Sequence, residues 1–551
     1  MTPAELRPAP TLDEAARSPM ERALGPLFIA LAFLMSCTPM QTFDIWWHLR
    51  AGQWIREHGR VPYEDLFTYA DAGRPWIDLH WGFQVLASAL FDFGGPAGPI
   101  LLVLAKASCV AAMLMLGLGA SGRALPVGVR VCLWLLPMLA LLGRTPVRPE
   151  TVTLVVLALW LWLLPRIAER PRLMWWLPAL QVLWLNMHGL FILGLVVWGC
   201  FGADQLARRA WGGRYGLEPL AAPTPHRTLW GVSGLLVLAA FASPYGVDGA
   251  LLPFELYSKF SGDAAFYAKH VMELASPLLY MQRYGANPYV GAATLLWLLT
   301  LGSFVLLGLR GHVSVLRLLL FIGFSQLAST ALRNVGLFSL VGGVVLVANV
   351  EQLWPGRFTE ARRRWAGGAV AVVVVLGGLF LSGTLGPMLR DSELRFHPAS
   401  MPGWYAHRVI QLAGAPGMPR RAFASHIGLA AVYSFHNGPD RKVFTDGRLE
   451  VATRETLERS IRVENALKAA APSQGEAAPP VDSAWEQLLL DDEGRRPVVI
   501  IDTSFGKRRL RGMLRQTDWR LVFAGGGATI FLHSTDAARL GLPDVRTGPP
   551  P

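Results

Sequence analysis

The chain has 551 residues, 52% of them hydrophobic and only 16% charged, with a mean hydropathy of +0.35. This composition excludes a water-soluble globule of ordinary makeup and makes the bilayer the solvent for most of the chain. The formal net charge of +12 would suggest nucleic acid in a soluble protein. Here the arginines flank apolar runs, where membrane orientation and anionic headgroups account for them, so no nucleic-acid partner is expected.

In chain order, residues 1–23 read as a cytoplasmic tail carrying Arg17 and Arg22. Leu34-Met35-Ser36-Cys37 resembles the end of a lipoprotein signal, but Met fits that motif poorly and many apolar runs follow, so the first helix is expected to be retained. Apolar stretches near 24–40, 98–119, 127–142, 151–165, 174–186, 190–206, 229–243, 290–309, 318–331, 335–352 and 366–385 predict about eleven transmembrane helices in a domain spanning 24–385. Arginines cluster in alternate connections, at Arg123, at Arg166, Arg170 and Arg172, at Arg208 to Arg227, at Arg310 and Arg317, and at Arg357 to Arg364. The positive-inside rule makes those connections and the amino terminus cytoplasmic. Cys37, Cys109, Cys132 and Cys200 all fall in apolar segments and read as small hydrophobes, neither a disulfide framework nor a zinc site.

From about 386 to 551 the composition becomes that of a soluble domain, long enough to bury its own core. Strand-like runs at 422–435, 442–445, 497–501 and 520–533 alternate with helix-like stretches at 404–412, 453–471 and 483–490, with a polar linker at 470–482. The fold class expected is an α-helical polytopic membrane protein with a C-terminal soluble α/β domain outside the membrane. No internal repeat is visible.

Polar chemistry concentrates in the first outer loop, 41–81. Asp44 stands just beyond a span and is followed by Trp46, Trp47, His48 and Trp54, at spacings that suit a helix lying at the headgroups. Glu64 and Asp65 come next, then Trp76-Ile77-Asp78-Leu79-His80-Trp81. Structural readings compete with functional ones. Asp44 suits an N-cap, and the tryptophans suit belt anchors. The same membrane face should also carry Arg144, Arg148 and Glu150, then Asn186 and His188, then Glu255 and Glu273 in the connection 244–289, then Arg333 and Asn334. Ionisable groups near hydrocarbon are costly and are usually paired or functional. An Arg148–Glu150 ion pair and a helix-end role for His188 are the structural alternatives.

Phe43-Asp44-Ile45-Trp46-Trp47-His48-Leu49-Arg50-Ala51-Gly52, Gly59-Arg60-Val61-Pro62 with Asp65 and Phe67, and Trp76 to Trp81 resemble the first outer loop of bacterial membrane proteins in the C-type glycosyltransferase superfamily. Trp184 to Gly189, Ser243-Pro244-Tyr245-Gly246, Glu273 with Ser276-Pro277, Arg333-Asn334-Val335 and Val443-Phe444-Thr445-Asp446-Gly447-Arg448 continue the resemblance in order over most of the chain. The resemblance implies a bacterial inner-membrane enzyme that transfers sugar, with inversion, from a polyprenyl-phosphate donor to an extracytoplasmic lipid, glycan or protein. It also implies an acid in the first outer loop acting as base or metal ligand, which falls on Asp44.

Such a transfer needs a carboxylate to take the acceptor's hydroxyl proton and cations to hold the departing phosphate. Asp44 is the candidate base, with Arg148 and Arg333 as phosphate holders. His48, Asp78, His80, Arg144, Asn186, His188, Glu273 and Asn334 are the further candidate substrate-binding groups. A divalent cation, Mg or Mn, bridging Asp44 and Asp78 would share the phosphate charge, though the spacing does not demand one. One segment departs from the family. Ser425-His426-Ile427-Gly428-Leu429-Ala430 lacks the acid and the Trp that relatives often show before the Val-Phe-x-Asp-Gly-Arg strand, which puts acceptor choice or activity in question. Asp446-Gly447-Arg448 also suits a simple turn. A non-enzymatic scaffold or sensor stays open as an alternative. A transporter is disfavoured by the lack of repeats and of paired central charges, Lys106 being the main one.

Overall fold

The computed structural model describes residues 18–143, 145–220, 224–401, 403–471 and 484–547. Arg144, most of the linker 470–482 and the first seventeen residues lie outside the described residues. Two compact units emerge, one of Met1–Pro39 with Pro99–Ala399 and one of Met40–Gly98 with Ser400–Pro551.

The first unit is helical. Several helices are apolar enough for a membrane, and among the described residues seven reach spanning length: Pro19–Ser36, Trp81–Ala120, Glu150–Ile167, Gly189–Trp211, Pro288–Leu309, Leu332–Leu353 and Arg362–Leu381. The second of these, Trp81–Ala120, runs from one unit into the other. Val127–Leu142 and Val315–Thr330 are shorter apolar helices. The sequence suggested more spans because apolar runs do not show where a helix stops. Near 174–186 a 3-10 turn, Pro171–Trp176, leaves only the nine-residue helix Leu177–Leu185. At 1.5 Å per residue that helix covers about 14 Å, roughly half a hydrocarbon core.

Leu332–Leu353 is the packing centre of this unit. In its most apolar window 89% of residues are buried, against 22% for Arg362–Leu381. Pro288–Leu309, Val315–Thr330, Val127–Leu142 and Glu150–Glu169 surround it, as expected of a helix that is apolar on every face. A methyl group at Gly343 would press on Pro137 and Trp134, so the small residue sets how closely the two helices approach.

The second unit holds a five-stranded sheet. Its strands are β1 (Arg421–Ala424), β2 (Lys442–Val443), β3 (Val498–Asp502), β4 (Trp519–Gly525) and β5 (Ala528–His533), in the order β2-β1-β3-β5-β4. β1 runs parallel to β2 and β3, while β5 is antiparallel to β3 and β4. All five residues of β3 are buried, as a central strand covered on both faces requires. The run 422–435, strand-like in sequence, is instead β1 followed by the helix Ile427–Asn437. Gly428 to Ser434 are all buried, and a continuous apolar run does not distinguish a buried strand from a buried helix.

The loop 41–81 is built into this unit. Residue 69 takes its hydrogen bond from β2: Tyr69 N donates to Val443 O at 2.9 Å, and Val443 N donates to Phe67 O at 2.9 Å. Tyr69 then buries its ring among Phe423, Phe444, Val463, Trp485 and Phe531, and its hydroxyl donates to Leu489 O at 2.9 Å. The helices Ile45–His58 and Trp81–Gly94 pack on each other, and the former also packs on Ile427–Asn437. Gly52 allows the first contact, since any side chain there would strike the backbone of Gln84.

Candidate functional site

Asp44 occupies the N-cap position of Ile45–His58 in helical conformation, and its side chain makes no capping hydrogen bond. The capping role that the sequence suggested for its carboxylate is therefore not the one it performs. Trp46, Trp47 and Trp54 are not interfacial anchors either. They are 2%, 4% and 8% exposed, and Trp46 packs against the rings of Phe91, Tyr405, His407 and Phe435. The helix is thus fixed by its aromatic side in the protein interior, with half-buried Asp44 at its start.

What faces Asp44 is Gly447. A side chain at 447 would begin 3.0 Å from Asp44 Oδ1, so a backbone without Cβ is what lets this turn approach the carboxylate. The residues on either side of Gly447 are locked. Arg448 is fully buried and pairs with Asp65 at 2.6 Å and Asp446 at 2.8 Å. Its guanidinium also lies over Trp76 at 4.5 Å and Phe67 at 5.0 Å. Asp65 in turn accepts from the backbone N–H groups of Phe67 and Thr68, each at 3.0 Å, and from the Thr68 hydroxyl. Burial pushes the Asp65 carboxyl up, but Arg448 and these donors outweigh it and hold it below the usual range. For Asp446 burial prevails over Arg448 and its carboxyl lies above the usual range. Two acids around one cation, all within the interior, define a cluster whose partners cannot be removed singly without leaving a buried charge. Asp446 and Arg448 are 2% and 0% exposed, so these two side chains pin the turn from within.

A second buried network involves the other candidates of the loop. The Gln84 amide donates to Asp78 Oδ1 at 3.0 Å and reaches His48 Nδ1 at 3.3 Å. Asp78 Oδ1 also accepts from the backbone N–H of His80 at 3.1 Å and lies 3.4 Å from His80 Nδ1. Burial pulls the His80 imidazole down, yet Asp78, with a smaller pull from Glu450, raises it above its ordinary value. Burial raises the Glu450 carboxyl against the pull of His80. His48 and Asp78 are 4% and 0% exposed, so they support the loop from within. Among the described residues no group of three or more His, Cys, Asp or Glu comes together to hold a metal ion.

The remaining candidates belong to the helical unit. Arg148 Nη1 lies 2.6 Å from Glu273 Oε1, a pair formed across 125 positions of sequence. The turn Met272–Leu274 is tied to the turn Leu332–Asn334 by Leu332 N donating to Ala275 O at 2.8 Å. Arg333 stands in that second turn with its guanidinium 5.7 Å from the Phe260 ring centroid. Arg148, Glu273 and Arg333 are thereby gathered in one region of the unit. His188 Nδ1 meets the Thr153 hydroxyl at 2.8 Å, and Trp184 Nε1 donates to the same hydroxyl at 2.8 Å. The Asn186 amide donates to Val182 O and Ala242 O, and that of Asn334 to Leu327 O at 2.9 Å. The two asparagines therefore satisfy backbone carbonyls at chain turns.

Sequence reasoning did not single out His426, Gln84 or Glu450, and gave Asp65 no role. His426 caps Ile427–Asn437 through its ring, which accepts from Gly428 N at 3.1 Å. Burial lowers its imidazole against the pull of Asp502 and, more weakly, Asp44. The only advance signal was that this histidine fills the divergent segment.

No protein-family model matches the chain, and no curated protein matches it. Its fold is similar to that of an archaeal oligosaccharyltransferase. The Archaeoglobus fulgidus oligosaccharyltransferase in the apo form matches with a TM-score of 0.52 and 12% identity, covering 88% of this chain and 70% of that one. The same figures hold for archaeal oligosaccharyltransferase AglB from Archaeoglobus fulgidus in complex with an inhibitory peptide and a dolichol-phosphate. At this identity the likeness is one of fold.

Proposed function

We propose that the chain is a membrane glycosyltransferase that moves a sugar from a polyprenyl-phosphate donor to an extracytoplasmic acceptor. The observation that carries this reading is the placement of Asp44, whose carboxylate starts a helix without capping it and meets a glycine held by a buried ion cluster. The likeness of fold to an oligosaccharyltransferase bound to dolichol-phosphate supports it. In this reading Asp44 accepts the acceptor's hydroxyl proton as that oxygen attacks the anomeric carbon and the bond to the phosphate breaks. Attack opposite the leaving phosphate inverts the anomeric centre. Within the helical unit, Arg148 and Arg333 are the groups proposed to hold a phosphate, with Glu273 keeping Arg148 in place until an anion arrives. Asp78, His48 and His80 position the loop from its interior.

Asp44 is the carboxylate this reading offers to a divalent cation. Asp78 is wholly buried and bonded to Gln84, and the donor set does not make a cage, so no step here is routed through a metal. The proposal further puts the amino terminus in the cytoplasm and the unit with the sheet outside a bacterial inner membrane, a reading supported by the arginines clustered in alternate connections. The test is release of polyprenyl phosphate and glycosylated acceptor by purified protein given a polyprenyl-phosphate sugar, with and without chelator. Turnover supports the reading. Absence of turnover across a panel of lipid, glycan and peptide acceptors, with donor shown to be bound, favours the scaffold alternative.

A further inference from the structure

A cleft of about 400 Å³ in the sheet-bearing unit is lined by Arg420, Arg421, Arg495, Arg496 and Arg539, with Asp536 the single acid. None of these residues belongs to the loop, the pinned turn or the helical cluster described above. Bringing five guanidiniums around one cavity is unfavourable unless something answers their charge. The protein answers it from behind. Asp491, 6% exposed, accepts from the Nε atoms of Arg421 at 3.2 Å and Arg495 at 2.8 Å. Glu486, 9% exposed, lies 3.4 Å from the Nε of Arg496. Holding a guanidinium at Nε fixes its plane and leaves the two terminal nitrogens for another partner.

The terminal nitrogens are used unequally. Those of Arg495 go to exposed Glu493, and Arg539 bonds Asp536 and Gly417 O. Arg421 and Arg496 form their ion pairs through Nε alone, with the Arg421 guanidinium also 5.7 Å from the Tyr69 ring centroid, and the exposed Arg420 side chain has no acceptor among the described residues. Three sets of donors therefore converge on one cavity with buried carboxylates bracing two of them. A carboxylate ligand offers two oxygens in one plane, whereas a phosphate offers three or four in three dimensions, which is what donors arriving from several sides require.

We propose that this cleft is a binding site for a phosphate group, separate from the region of Asp44, with Arg420, Arg421 and Arg496 as its ligands. The site does not depend on the transferase reading, and its phosphate comes from a soluble phosphorylated glycan or from a lipid headgroup. The experiment is calorimetric titration of the full chain in neutral detergent with inorganic phosphate, with glucose 1-phosphate and with glucuronate. A parallel arm titrates the same detergent-solubilised protein with water-soluble short-chain phosphatidylglycerol and with short-chain phosphatidylcholine. Saturable phosphate binding should weaken at least about tenfold in Arg420→Gln and in Arg496→Gln. Binding should persist in Arg333→Gln, which alters one of the two phosphate holders proposed for the transferase. If only short-chain phosphatidylglycerol binds, and Arg420→Gln abolishes that binding, the site takes a lipid phosphate. Glucuronate binding as well as phosphate, or phosphate and short-chain lipid binding that both variants leave unchanged, would overturn the proposal. Arg420→Gln alone suffices should Arg496→Gln fail to fold, because Arg420 is exposed and bonded to nothing it would strand.

Discussion

The two units use arginine in opposite ways. In the sheet-bearing unit Arg448 is fully buried between Asp65 and Asp446, and in the helical unit the Arg148–Glu273 pair leaves its side chains 22% and 33% exposed. Burial makes the first cluster permanent, since parting it strands a charge in a poorly solvated interior. Partial exposure makes the second exchangeable, because water and an incoming anion can both compete for the guanidinium. The contrast separates architecture from chemistry. Arg448 sets the turn that carries Gly447 to Asp44, whereas Arg148, partly exposed and paired with Glu273, is the arginine proposed to meet a ligand.

The contrast can be broken most forcefully at Arg448. Arg448→Met should destabilise the sheet-bearing unit by about 3–5 kcal/mol, since it leaves two buried acids without their cation. Thermal unfolding followed by tryptophan fluorescence would show it, and an unchanged melting temperature would place the cluster among the dispensable contacts. Gly447→Val comes next in size. It should keep the fold while lowering transfer by about 10²-fold, the scale on which misplacing a reacting group acts. By contrast, Arg148→Gln should leave the melting temperature unchanged and weaken donor binding by about tenfold, the value of one charge-assisted contact. Loss of folding in this variant would erase the distinction between the two arginines.

The smallest effect concerns pH. The imidazole of His80 is raised by Asp78 and the carboxyl of Glu450 by burial. Groups whose folded values lie above their unfolded ones stabilise below the unfolded pKa and lose that contribution as pH rises through the folded one. For His80 the loss begins just above its ordinary value near 6.5. The protein should thus melt at a slightly higher temperature at pH 6 than at pH 8, with His80→Gln flattening the difference. Identical slopes in the two proteins would show that His80 does not titrate in that window.

Much of the helical unit was legible because an apolar run long enough for a bilayer admits few other conformations. The helix Arg454–Ala469 announced itself by its amphipathic spacing, and the turn at Asp446-Gly447-Arg448 by its residue types. What stayed hidden were contacts between distant positions. Asp65 and Arg448 are 383 residues apart, and no periodicity near either one reveals the other. Tyr69 reads as an ordinary loop aromatic until the chain is seen to pair with β2 and fill the sheet's core. Trp46 and Trp47 were misleading for a related reason, since tryptophan next to a span suits a headgroup belt and a protein interior equally well. Arg317, a marker of orientation in the sequence, turns out to donate to Asn349 Oδ1 at 2.7 Å and to Gln352.

The role assigned to Asp44 is the point on which the functional reading turns. It is tested most directly by comparing the rate of polyprenyl-phosphate release from a polyprenyl-phosphate sugar by the purified wild-type protein and by Asp44→Asn in the same bilayer discs. Because Asn keeps the size and shape of the carboxylate and helix capping does not depend on this side chain, the variant should melt with the wild type while its rate falls by about 10²- to 10⁴-fold, the range for removing a general base. An Asp44→Asn protein that is folded and releases polyprenyl phosphate at the wild-type rate would contradict the account.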